Sequence, residues 1–142
     1  MEELLELRAY IEKGRYAEAL TLIGEMEEMS RDDKINKIES FLQILLVHLI
    51  KQYAEKHTTR SWDVSIHNAI DGVQRINKRR KAGGHYLSVD ELKDSIDEIY
   101  PASLRLASLD VFAGRYSDTE LAAKIHEHHI KTQAFESIQK VK

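Results

Sequence analysis

Six residues lie between Arg60 and His67 in a stretch that reads as helix, and side chains of that kind have a definite joint chemistry. An arginine can hold a phosphate through two parallel N–H donors, while a histidine near neutrality can take the proton from an attacking 2'-hydroxyl. Together they would cleave RNA without a metal. The same spacing recurs between Arg79 or Arg80 and His85, which shows how easily it arises in a basic segment of a chain with 7 histidines. The plainer reading is that Arg60 pairs near a helix start and His67 lies on a solvated face. Arg60 and His67 are therefore candidates, and no catalytic residue is assigned.

Three further groups could carry chemistry. Arg75, Lys78, Arg79, Arg80 and Lys81 form a basic run that could contact phosphates, with Trp62 and Tyr86 near its ends. The aromatics are not interleaved with the cations as in a base-stacking platform, and cations at a helix end also suit the helix dipole. His126, His128 and His129 surround Glu127, and His126 with His129 would share one helical face. Two ligands on a terminal helix do not close a metal site, and no third is evident, so neither metal nor cofactor is expected. His48 falls within an apolar stripe and is expected to be a buried, hydrogen-bonded polar group. A functional role for it would need an acid such as Glu25 or Glu28 within bonding distance.

The elements that position these residues read as helices. Leu4, Leu5, Leu7, Tyr10 and Ile11 precede Gly14, a residue suited to the left-handed turn after a helix. Tyr16, Ala19, Leu20, Ile23 and Met26 resume the period, so residues 1–29 are expected to form a helical hairpin. Ser30 and Asp33 have capping-box spacing and open the strongest stripe, Ile35, Ile38, Phe41, Leu42, Leu45, Leu49 and Tyr53. A central helix of about 40 Å from Arg31 to His57 is predicted there. Thr58, Thr59 or Ser61 would cap the next helix, with Trp62 as a core anchor followed by Ile66, Ile70, Val73 and Ile76. That helix is predicted to run through the cations to Gly83 and Gly84. Ser88 with Glu91 forms a second capping box ahead of Leu92, Ile96 and Tyr100, and Pro101 then predicts a kink or a break. Residues 31–113 are the expected core helices. Ser117 with Glu120 opens a last helix over 117–142 whose end frays. Gly14-Arg15-Tyr16 and Gly114-Arg115-Tyr116 are alike, but copies 100 residues apart do not make a helical repeat.

Composition bounds the rest. A chain of 142 residues is one domain's length, domains usually having about 100–200. No cysteine is present, which excludes disulfide frameworks, thiol nucleophiles and thiolate metal sites. One proline and 6 glycines are too few for a β-sandwich or barrel, so an all-α single-domain bundle of five or six helices is expected. The longest apolar stretch, Phe41 to Ile50, is far short of the roughly 20 residues of a membrane span, and no secretory layout opens the chain. A cytoplasmic protein off the membrane is the expectation. The net charge of -3 conceals blocks: residues 1–40 and 87–120 each carry -5, residues 41–86 carry +5 and the rest +2. Such blocks either attract each other within a bundle or face a partner. A non-enzymatic interaction module with a protein partner is the leading expectation, and a nucleic-acid-binding module or metal-independent ribonuclease the alternative. Oligomeric state stays open.

Ile23-Gly24-Glu25-Met26-Glu27-Glu28-Met29-Ser30-Arg31, then Leu45 to Lys51, then Arg60-Ser61-Trp62 with Ser65-Ile66 resemble, in order, the bacterial domain-of-unknown-function family number twenty-nine, most abundant in cyanobacteria. The resemblance spans Leu7 to Leu121 and implies a helical fold, with no established activity and no functional residue to carry over. Between Lys78 and Leu87 a glycine-containing link replaces the family's leucine-rich stretch. The Arg60 to His67 spacing separately resembles the short motif of the small all-helical ribonucleases of the HEPN superfamily.

Overall fold

The computed structural model describes residues 2–79 and 83–140, and these form an all-α helical bundle. Helix α1 (Glu2–Glu12) is followed by α2 (Tyr16–Glu55), α3 (Arg60–Asn77), α4 (Val89–Ser108), a 3-10 turn (Val111–Gly114), α5 (Asp118–Ala122) and α6 (Glu127–Gln139). Gly14 does end α1, at a φ of 71° that side chains other than glycine rarely adopt.

Helix α2 is the frame of the molecule. Its 40 residues extend roughly 60 Å, so the predicted boundary between a hairpin at 1–29 and a core starting at 31 does not exist. Ser30 caps nothing there. It is exposed within the helix, and Asp33 pairs instead with Lys37 at 3.6 Å. No proline interrupts Tyr16–Glu55, and Met, Glu and Lys around Ser30 are good helix formers, so continuity is the cheaper outcome. The helix stops at Lys56, which takes a left-handed φ of 58°.

The second half of α2 buries Ile38, Leu42, Leu45, Leu46, Leu49 and Ile50. Packed on them are Ala69 and Val73 of α3, Leu92, Ile96, Tyr100 and Leu104 of α4, and Ile130, Ala134 and Ile138 of α6. Each fully buried Leu or Ile stabilises by about 1.5–3 kcal/mol, and this cluster is where the fold is held. Gln74 of α3 fastens the end of α6, its Nε2 donating to the carbonyls of Ile138 and Lys140 at 2.9 Å each.

Caps decide the remaining ends. The Thr59 hydroxyl accepts from Trp62 N at 3.1 Å and opens α3. Ser88 with Glu91 and Ser117 with Glu120 form complete capping boxes at α4 and α5. Of the kink or break expected at Pro101 the break does not occur, and α4 continues through it because the apolar face made by Ile96, Tyr100, Leu104 and Ala107 outweighs one missing backbone bond. The single helix predicted for 117–142 is instead two, α5 and α6. The His126 ring starts the second, its Nδ1 accepting from His129 N at 3.2 Å.

Candidate functional site

Helix α3 ends at Asn77 rather than running on to Gly83 and Gly84. Asn77 is buried, and its side chain donates to the Leu87 carbonyl at 3.1 Å and accepts from Leu87 N at 2.7 Å. Those bonds turn the chain into an extended link in which Lys78 bridges His85 and Tyr86 N donates to the Asn77 carbonyl at 2.9 Å. The basic run is therefore divided. Arg75 stays in the last turn of α3, Lys78 and Arg79 lie in the link, and Arg80 and Lys81 fall outside the described residues.

Arg60 and His67 both lie on α3, and a separation of seven residues is close to two turns, so they share a face about 10 Å apart along the axis. Both are exposed. His67 Nε2 is 3.5 Å from Asp71 Oδ2, one turn further along the same helix. A catalytic pair would need a cleft that orients a substrate between its members, and these two stand on an open surface.

Arg79 and His85 are brought closer to such a setting. With Arg31 and Tyr86 they line an open polar cleft of about 810 Å³ between the middle of α2 and the link. The Arg79 guanidinium lies 5.7 Å from the Tyr86 ring centroid. The same cleft carries Glu27, Glu28 and Glu91, and Arg31 already reaches Glu91 at 3.9 Å. Carboxylates in its lining compete with any phosphate for the same cations.

His48 is half-buried, and its Nδ1–H donates to the Ile44 carbonyl of its own helix at 2.8 Å. Full burial was the expectation. Glu25 and Glu28 belong to the same continuous helix, about 30 Å away, and cannot serve as its acid. Trp62 is likewise outside the core cluster, half-buried and stacked on the His57 ring at 5.2 Å between centroids. Among the described residues no group of three or more His, Cys, Asp or Glu has the geometry to hold a metal.

A polar cluster not anticipated from spacing sits where α4 meets α6. Lys131 binds Glu127 at 2.7 Å and Asp97 at 3.0 Å, with its ammonium 4.9 Å from the Tyr100 ring centroid. Burial pulls the Lys131 pKa down, but the hydrogen bonds and charges of Glu127 and Asp97 outweigh it and leave it raised. Burial, and secondarily Glu127, push Tyr100 up to about 12. The Tyr100 hydroxyl is buried and finds no hydrogen-bond partner among the described residues. These groups join two helices, and neither Lys131 nor Tyr100 is an activated acid or base near neutrality.

The other unanticipated feature is the arm formed by α1 and the first half of α2. Helix α1 buries no residue, and α2 buries only Ala19 before Ile38. Leu5, Tyr16 and Leu20, expected to be consumed in hairpin packing, are 68%, 63% and 69% exposed. Two short helical stretches have too little facing surface to cover them all, a signal available from the hairpin's length alone.

A model of the family described as domain of unknown function DUF29 matches residues 14–133. The chain belongs to the DUF29 family. The DUF29 match takes in α2 to α5 and the first half of α6, so the core and both candidate basic surfaces lie inside it, while α1 precedes it. No curated protein and no solved structure matches the chain significantly. Like the DUF29 description itself, the geometry comes without an assigned activity. Among the described residues no helix is long and apolar enough to cross a membrane.

Proposed function

We propose that the protein is a non-enzymatic interaction module of the cytoplasm that docks another protein through its N-terminal arm. One observation carries this reading: the arm exposes Leu5, Tyr16 and Leu20 far from the bundle's own core. Exposed large side chains grouped on one projecting element mark interaction surfaces, whereas scattered ones do not. The candidate chemical groups support the same reading, since Arg60 and His67 share an open face and Arg79 shares its cleft with Glu27, Glu28 and Glu91. The test is capture with a photo-crosslinker placed in the arm of the full chain, wild type beside Leu20→Glu. A protein captured by the wild type and lost in the variant is expected. Turnover of a substrate by the purified protein, abolished by a point substitution, would overturn the proposal.

A second reading has its own support. Arg60, His67 and Arg75 follow one another along the solvent side of α3 toward Lys78 and Arg79. A nucleic acid laid along that line would meet Arg60, His67 and Arg75 at intervals of about 10–12 Å. Anisotropy of a labelled single-stranded RNA at two salt concentrations, with cleavage read on a gel, decides it. Salt-sensitive binding lost on charge reversal of Arg75 and Arg79 would make this face a phosphate surface, and cleavage lost in His67→Ala would make it an active site.

A further inference from the structure

We infer that the occupant of the arm is a basic amphipathic helix of the partner, a step that rests on the interaction reading above. Residues 2–29 carry eight carboxylates against three cations. Two of those cations are already engaged within the arm, Arg8 with Glu12 at 2.9 Å and Arg15 with Glu18 at 3.1 Å. The excess negative charge faces outward. A groove of about 300 Å³ between α1 and α2, with Glu6, Tyr10, Glu18 and Glu25 in its lining, opens on the other side of α2 from Leu20, whereas Tyr16, Leu20 and Glu27 follow one another at i, i+4 and i+11 along one face.

An apolar surface with that charge selects among occupants. A second copy meeting this one arm to arm would bring a surface of the same sign, and like charges brought together across an interface cost several kcal/mol. An anionic lipid surface attracts basic helices and repels acidic ones. Nucleic acid is repelled for the same reason. A helix with apolar side chains at i, i+3, i+4 and i+7 and Lys or Arg beside them meets both demands, the apolar residues covering Tyr16 and Leu20 and the cations reaching Glu27, two turns on from Leu20 along the same face of α2. Attraction of this kind weakens with salt because the arm's charges are solvent-exposed.

The experiment uses the full chain and two labelled helical peptides with identical leucine faces, one flanked by lysines and its twin by glutamates, with binding read by anisotropy at low and high salt. The lysine peptide is expected to bind at least about tenfold more tightly than its twin and to weaken with salt. Leu20→Glu and Glu27→Lys are each expected to weaken it at least about tenfold, with helicity and melting temperature unchanged. Leu20→Glu separates docking from bulk charge attraction, because it adds a negative charge and would strengthen binding that rested on net charge alone. Equal binding of both peptides, or no effect of either variant, overturns the inference. So does a dimer of the wild type that Leu20→Glu converts to monomer, since the occupant is then a second copy. If the lysine peptide fails while capture returns an acidic partner dependent on Leu20, the charge assignment falls and the interaction reading stands. If no Leu20-dependent partner exists at all, that reading falls with it.

Discussion

The ring of Phe41 lies directly on the bare Cα of Gly72, so close that a Cβ there would come within 2.7 Å of three ring carbons. This contact sets how near α3 approaches the central helix, and it places a buried helical glycine where the two helices meet closely. Gly72→Ala gains helix propensity but must displace the ring, and overpacking of this kind costs about 1–3 kcal/mol. A lowered urea midpoint is the expected result, with part of the loss recovered when Phe41→Leu is added to the same chain. Additive effects of the two substitutions would show that the ring and the glycine do not constrain each other.

Tyr100 offers a test in alkali. Its pKa is raised by burial from 10.0 to about 12, so the folded state holds the phenolic proton after the unfolded chain has released it. The sign follows: this contribution to stability is complete below pH 10 and is lost as pH rises toward 12, amounting to at most about 3 kcal/mol. Tyr100→Phe removes it, so the stability difference between wild type and variant should change across that window. Near neutrality the substitution is expected to be neutral or mildly stabilising, since the buried hydroxyl has no partner among the described residues to lose. A strong destabilisation at pH 7 would mean that the hydroxyl is satisfied by a group such as an ordered water.

The capping boxes act at the opposite end of the pH scale. Backbone and side-chain hydrogen bonds from Ser88 hold the Glu91 carboxylate below its ordinary range, and Ser117 does the same for Glu120. A lowered folded pKa contributes stability above the unfolded value of 4.5 that is lost as pH falls through it. Glu91→Gln keeps an acceptor for Ser88 N but has no proton to gain. Its denaturation curve in acid should therefore lie closer to its neutral curve than the wild type's does. An unchanged acid limb would show that the carboxylate bond is not populated in solution.

Asn77 is expected to be among the most sensitive polar positions, because one buried amide group serves both the N–H and the carbonyl of Leu87. Asn77→Ala leaves those two backbone groups unpaired, at a cost of about 1–3 kcal/mol for each one left buried. Asn77→Asp keeps the acceptor and loses the donor, so it should fall between the two. Equilibrium unfolding of the three proteins gives the order directly, and an Asp variant less stable than the Ala variant would show that a buried charge costs more there than a lost bond.

The sequence disclosed the periodic and capped parts of the fold because those depend on neighbours within a turn or two. Gly14, the pair Ser88 and Glu91, the pair Ser117 and Glu120, and the stripe through Leu42, Leu45 and Leu49 all act where the spacing places them. What misled was a local signal overruled from a distance. Ser30 with Asp33 has the spacing of a cap, but a cap forms only where the helix has reason to stop, and α2 has none. Asn77 ends α3 through residues that follow a link, which helix periodicity does not register. His126 is not among the usual capping residues, so its part in starting α6 was hidden behind a metal reading. The arm was legible as two helices with apolar faces; periodicity identifies such a face but not whether anything covers it.

Because one uninterrupted helix carries both arm and core, its backbone amides are protected by two unequal means. Around Leu45 a hydrogen bond opens to solvent only when the bundle itself comes apart, while around Leu20 fraying from the Arg15 end is enough. Deuterium should therefore enter α2 along a gradient, fast at Tyr16 and slow past Ile38, with no structural joint to mark the change. A partner helix laid on the arm would flatten that gradient from the fast end, so that binding would be read as lost exchange in a segment whose shape does not alter.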